Sequence, residues 1–367
     1  MEDNENRPVT ASSETGIVLF LETIVRPAYQ IVFMIAFSCI ATIFFVYAMA
    51  SINIFEKRPS LNPIVPKELS ELASSTSQVK VGLNISDFSE FDIRANRFVF
   101  DAHIWFLFDQ SALSIETIEK FSFLRGSIIK KSPPDTKLIG GNYFVQHEIR
   151  VEFKADLNKK YFPFDDHRLY IEMVNKYVTP KELIFSASLS SFLMAPNLHV
   201  IGWRVIDKSV ETGFSESILD TFDERKNVAQ PKILFAIDFG RVDIQDIFLV
   251  FLPLFLMVFM AFFSFGCNPP QESTRMLTLA MSSMTGLLAY RFVLQNLTPK
   301  AGYFILSDCF FFLLLALVFL VFCLALVVLK KGLVTRELII VRGIIYIFSY
   351  MILLSGTVYF LFYWPYT

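Results

Sequence analysis

Residues 148–173 read EIRVEFKADLNKKYFPFDDHRLYIEM. Over residues 148–157, Ile149, Val151, Phe153, Ala155 and Leu157 alternate with Arg150, Glu152, Lys154 and Asp156. A period of two places the apolar set on one face of a strand and the charged set on the other. Residues 168–173 supply a second strand. The Pro-containing stretch between them is a loop, because proline cannot donate to a sheet ladder. Working outward, Val79, Val81, Leu83 and Ile85 alternate, as do Phe98, Phe100, Ala102, Ile104 and Phe106. Residues 199–206 and 233–239 are further strands. Such runs, separated by Pro, Gly, Asn and Ser clusters, predict an antiparallel β domain, a sandwich. No internal repeat is visible.

The flanking sequence has another texture. Of 367 residues, 54% are hydrophobic, 19% are charged and 41 are Phe, a balance that fits a chain partly dissolved in lipid. A net charge of −2 gives no basic footprint, so nucleic acid is not expected as a partner. Charge-poor runs mark five spans: residues 28–53, the stretch between Asp246 and Glu272, residues 276–297, residues 303–329, and residues 343–367. Each is long enough to cross about 30 Å of hydrocarbon as a helix of about 20 residues. Lys330, Lys331, Arg336 and Arg342 crowd the short link before the last span, which puts that link in the cytoplasm. Counting back, the β domain lies outside the cell membrane and the tail of residues 1–27 inside. Ala48-Met49-Ala50 resembles a cleavage site, so the first span is either a retained signal anchor, the favoured reading, or a cleaved signal peptide. The expected architecture is membrane α + β. A tail (1–27) and one N-terminal transmembrane helix (28–53) precede an exterior antiparallel β-sandwich (54–244). Four transmembrane helices (245–367) follow.

The 276–297 span differs from the rest. At helical spacing Thr278, Ser282, Thr285, Ala289, Phe292 and Asn296 form one stripe, while Leu277, Leu279, Met281, Met284, Leu287, Leu288 and Leu294 lie elsewhere. Hydroxyls and small side chains on one face mean close helix packing or contact with water. The second reading makes the stripe a pore lining, which needs several copies around an axis. Arg291 and Asp308 are charges inside spans, where such groups pair or face water. Arg291 is expected to pack between helices against Asp308, or else to snorkel to the outer interface.

In this setting Tyr161-Phe162-Pro163-Phe164-Asp165, between two strands, resembles the signature loop of the pentameric ligand-gated ion channels, the Cys-loop receptor superfamily. Arg241 stands 12 residues before Pro253, as the family's pre-membrane arginine stands to the proline of its first channel helix. Thr278 and Ser282, with Pro299-Lys300 beyond the outer end and residues 303–308 opening the next helix, resemble the prokaryotic members. Ala155 and Leu169 stand where the namesake cysteines would be, which also resembles the bacterial branch, as does the short cytoplasmic link. The N-terminal span departs from the usual family topology. The resemblance covers residue 79 to the C-terminus. It implies a homopentamer in a bacterial inner membrane, gated by a small-molecule, proton or cation agonist and passing inorganic ions. It gives Pro163, Phe164, Asp165, Arg241, Pro299 and Lys300 coupling roles. It implies an intersubunit pocket with Trp105, Tyr177, Phe214 and Phe222 as aromatic candidates, capped by residues 213–230. Each aromatic has core packing as its alternative reading.

Other chemistry is sparse. His103, His147, His167 and His199 are scattered with no ligand spacing, and Cys39, Cys267, Cys309 and Cys323 all lie in apolar runs. No metal site, cofactor or phosphate loop is expected. His167, after Asp165 and Asp166, is expected to be solvated or capping in a turn. Glu211, Glu216, Asp220, Asp223 and Glu224 crowd the capping segment, as a cation or proton site or as a solvated face. The resemblance brings the Asp165 loop to the membrane face of the β domain, so it implies an Asp165–Arg241 pair that braces or switches the link between the two domains. At the cytoplasmic end Glu272, Thr274 and Arg275 are the selectivity candidates. With Thr274 on the pore side, Arg275 turned to a neighbouring helix and Glu272 freer, weak cation preference is expected. Phe292, the large apolar residue of the stripe, is expected to form the constriction. The rival functions are a non-conducting membrane receptor signalling through the N-terminal helix and a membrane-anchored enzyme, for which no catalytic constellation is seen.

Overall fold

The computed structural model describes residues 59, 61–63, 76–218, 227–242, 245–264, 267 and 272–331. The first and last expected spans, Phe222 and the acids Asp220, Asp223 and Glu224 lie outside the described residues. The chain divides into two compact units, a β unit within Ile54–Ile244 and a helical unit.

The β unit is two sheets face to face. One holds β1 (Asn62–Pro63), β11 (Trp203–Ile218), β12 (Asn227–Arg241), β8 (His167–Asn175) and β4 (Phe121–Phe123), in that order. The other holds β10 (Phe192–Met194), β2 (Ser77–Asp92), β3 (Arg97–Phe108), β7 (Asn142–Lys154) and β5 (Gly126–Lys131). On this second sheet β6 (Asp135–Ile139) pairs with β7 and β9 (Leu183–Ser186) with β2. A single-turn helix α1, Ile115–Ile118, precedes β4, and the Ser114 side chain accepts from the Thr117 amide at its start.

Alternation explains the core. Phe98, Phe100, Ala102, Ile104, Phe106 and Phe108 on β3 and Val145, Ile149, Val151 and Phe153 on β7 are all buried. They meet Ile233, Phe235, Ile237 and Phe239 of β12 from the opposite sheet in one cluster. The outward positions carry ion pairs instead: Arg150 to Asp101 at 2.7 Å and Arg97 to Glu152 at 2.7 Å. β2 runs beyond the alternating stretch to Asp92; a register shift between Ile85 and Asp87 changes the parity and returns Phe88 to the core, and a second follows between Phe88 and Glu90. One expectation needs correction. The strand expected from residue 199 begins at Trp203, after a turn in which Gly202 takes φ 78°.

His147 lies on the core side of β7, 1% exposed. Its Nδ1 is 3.0 Å from the Ser132 carbonyl, which only accepts, so Nδ1 carries the proton of the neutral ring. Nε2 is then an acceptor, 3.5 Å from Glu119 Oε1. Burial pushes the His147 pKa down; Lys131 adds to this, and Ser132 and Glu119 oppose it. The folded pKa thus lies below the unfolded value of about 6.5. The stability His147 contributes is present above that pH and is lost as pH falls through the folded pKa. His147→Gln is expected to flatten this part of the acid loss, read as the unfolding midpoint of the purified protein across about pH 7.5 to 5.

The helical unit contains α2 (Gln245–Phe263), α3 (Ser273–Leu297) and α4 (Leu306–Lys331). All three are long and apolar enough to cross a membrane. α4 starts three residues later than the sequence implied. The Asp308 side chain accepts from the Ile305 amide at that start, at 3.4 Å.

Candidate functional site

α3 packs through Met276, Ala280, Ser283, Leu287, Tyr290 and Leu294, all buried. These follow the three- and four-residue steps of one helix face. Gly286 beside them lets α2 close in, since a β-carbon there would stand 3.3 Å from Met257 Sδ. The stripe of Thr278, Ser282, Thr285, Ala289, Phe292 and Asn296 is displaced by about half a turn from that face, and each of its residues is exposed. Met281, Leu288 and Val293 flank it and are exposed too. The other two helices differ. α2 exposes Phe248, Leu252, Phe255, Phe259 and Phe263, and α4 exposes Phe312, Phe319, Leu326 and Val327. Two helices thus turn hydrocarbon outward, while the third turns hydroxyls outward. Thr278 Oγ1 donates to the Thr274 carbonyl at 2.8 Å, which meets its donor need within the helix. Phe292 is 71% exposed on the stripe.

At the start of α3, Thr274 is exposed. Arg275 is 76% exposed, and its Nη1 lies 2.9 Å from Glu272 Oε1. Two opposite charges three residues apart therefore compensate each other locally. At the other end Pro299 is buried and Lys300 exposed.

Arg291 and Asp308 form an ion pair between α3 and α4. The guanidinium also lies over the rings of Phe311 and Phe312, at 5.3 and 5.5 Å. Both charges are thereby met inside the helical unit, and snorkelling is not the arrangement found.

The β unit holds a second polar cluster. Tyr161, Phe162, Pro163 and Asp165 are buried and Phe164 is half-buried, and the Phe162–Pro163 bond is cis. Arg241, the last residue of β12, places Nη2 2.9 Å from Asp165 Oδ1. Its backbone amide donates to Asp166 Oδ1 at 3.0 Å. Its guanidinium stacks on Trp203 at 4.5 Å and reaches the Phe162 ring at 5.3 Å. His167 corrects the expectation of a solvated turn residue. It is buried, its ring faces Trp203 at 5.2 Å, and its Nε2 is 3.0 Å from Asp165 Oδ2. The cause is strand parity: His167 opens β8 opposite Phe239 and so points into the sandwich. Burial raises the Asp165 pKa, but Arg241 and His167 outweigh it and hold the carboxyl below its ordinary range.

Among the described residues, the aromatic candidates Trp105, Tyr177 and Phe214 do not share a contact within one chain. Trp105 is half-buried on the outward face of β3, stacked on Phe144 at 5.8 Å. It lies over Gly82, where a β-carbon would come within 2.1 Å of the indole. Core packing is therefore not its role. Tyr177, after β8, is 73% exposed under the Lys120 ammonium at 5.4 Å. Phe214 is half-buried on β11 opposite Pro231, and Trp203 is half-buried beside Phe91. Trp105 belongs to one sheet and Phe214 to the other, and Tyr177 lies in the turn after β8. In the capping segment Glu211 is half-buried and Glu216 exposed.

No family model matches the chain. No curated protein matches it.

Proposed function

We propose that this chain is one subunit of a homopentameric ligand-gated ion channel in a cell membrane, with α3 lining a central pore. One observation carries the reading: of the three membrane-length helices among the described residues, α3 is the one that turns a stripe of hydroxyls away from its packed face. Facing acyl chains, such a stripe finds polar partners only in its own helix; around an axis of identical copies it also meets water. The β-sandwich ahead of these helices and the Phe-Pro-Phe-Asp loop support the ligand-gated reading. In it, an agonist bound between neighbouring β units shifts a closed–open equilibrium. Ions then move down their gradient with no covalent chemistry. The Asp165–Arg241 cluster is the coupling element, since only three residues separate Arg241 from Gln245, where α2 begins. Movement of the loop carrying Asp165 pulls on that short link.

Glu272 and Arg275 form the charged ring at the inner mouth. Because they pair, selectivity is weak, with a slight preference for cations through Glu272. Phe292 is the constriction: five rings at one level exclude water. Phe292→Ala is expected to raise the resting conductance of protein reconstituted in planar bilayers. A silent Phe292→Ala beside a leaking Thr285→Ala would put the gate lower down. The architecture itself is tested by imaging the purified oligomer. Five-fold symmetry with α3 next to the axis is the expected result, and a monomer or an oligomer with α3 at its rim would end the proposal.

A further inference from the structure

Pro253 lies inside α2 and has no amide proton. The carbonyl of Leu249, four residues earlier, therefore lacks its normal donor in the helix. In hydrocarbon an unmet carbonyl costs far more than in water, where solvent would bond it. The Tyr290 hydroxyl of α3 donates to that carbonyl. It also approaches the Val250 carbonyl at 3.5 Å. Tyr290 is 8% exposed and belongs to the packed face with Leu287 and Leu294. The next residue, Arg291, pairs with Asp308 on α4. Two consecutive residues of α3 thus fasten it to both neighbours at one level.

We infer that Tyr290 is a positioning residue, whose hydroxyl replaces the hydrogen bond that Pro253 withholds from Leu249. The backbone of α2 around Pro253 and the placement of α3 then form one equilibrium. If α3 turns or slides so that the hydroxyl withdraws, the Leu249 carbonyl is left bare in an apolar setting. α2 must then rearrange around Pro253 to find another donor. A proline in one helix is in this way read by a tyrosine in the next. The bond itself does not depend on the channel proposal.

The test is a double-mutant cycle on the full chain in lipid nanodiscs, read as the thermal unfolding midpoint of the helical unit. Tyr290→Phe removes the hydroxyl and keeps the ring, and is expected to lower the midpoint. Pro253→Ala returns a backbone N–H four residues after Leu249. In that background Tyr290→Phe is expected to cost little, because the helix now supplies the donor. Pro253→Leu repeats the second arm in case the first variant fails to assemble. An equal loss from Tyr290→Phe with and without Pro253 would overturn the assignment, as would no loss in the parent. The readout needs no current, so failure of the channel reading would show separately, as absent conductance with an intact cycle.

Discussion

Arg241→Gln is expected to destabilise the β unit by about 3–5 kcal/mol, the usual cost of removing one partner of a buried ion pair. The Asp165 side chain is 2% exposed and that of Arg241 10%, so water cannot compensate for the missing guanidinium. Arg241 also stacks on Trp203, so the substitution removes a ring contact at the end of β12 as well as the charge, while the backbone amide keeps its bond to Asp166. Asp165→Asn leaves the opposite charge unmet, and its loss falls at the lower end of that range because the ring contacts of Arg241 persist. If the two act as a pair, the double mutant is less harmful than the sum of the singles; strict additivity would remove the pairing. The pH dependence has a fixed sign. The folded pKa of Asp165 lies below the unfolded value of about 3.9. Its contribution is therefore present above that pH and is lost as pH falls through the folded value. Denaturant unfolding of the purified protein, followed by Trp fluorescence, reads all of these.

Arg291→Met is expected to be the second large loss. Asp308 would remain between α3 and α4 with its counter-ion gone, and a carboxylate at membrane depth costs about 2.5–3.5 kcal/mol on insertion scales. Arg291→Met together with Asp308→Leu removes both charges and is expected to recover most of that loss, because lipid or a packed side chain then meets only apolar surface. Yield and unfolding midpoint in detergent read the series. A double variant as poor as Arg291→Met alone would show that the guanidinium matters through Phe311 and Phe312 instead.

Where one face of an element is buried, sequence alone located it. The strict alternation of β3 and β7 marked both strands, because every second residue there enters the core. The alternation that marks β2 stops at Ile85 although the strand runs to Asp92, since a bulge changes parity without any signal in residue type. Arg291 and Asp308 were legible as a pair, 17 residues apart, because a lone charge in a span demands a partner. His167 was misread. Its neighbours Asp165 and Asp166 looked like turn chemistry, yet the strand begins at His167 and turns it inward, onto Trp203 from a different strand. The contact of Tyr290 with the Leu249 carbonyl was missed, although Pro253 inside a span was itself a signal that some hydroxyl must reach back four residues. His147 and Glu119 meet only through tertiary folding, and nothing local announces them.

The most direct measurement is thiol accessibility in a chain whose native cysteines are replaced. Single cysteines are placed at Thr278, Ser282 and Thr285 on the α3 stripe, at Phe255 on α2 and at Phe319 on α4. All five positions are exposed on the single chain, so exposure alone does not separate them. Around a water-filled axis the α3 cysteines react with a charged, water-soluble reagent, while those at Phe255 and Phe319 face lipid and stay unreactive. That split is the expected result. Equal reactivity, or equal protection, across all five positions would contradict a pore lined by α3.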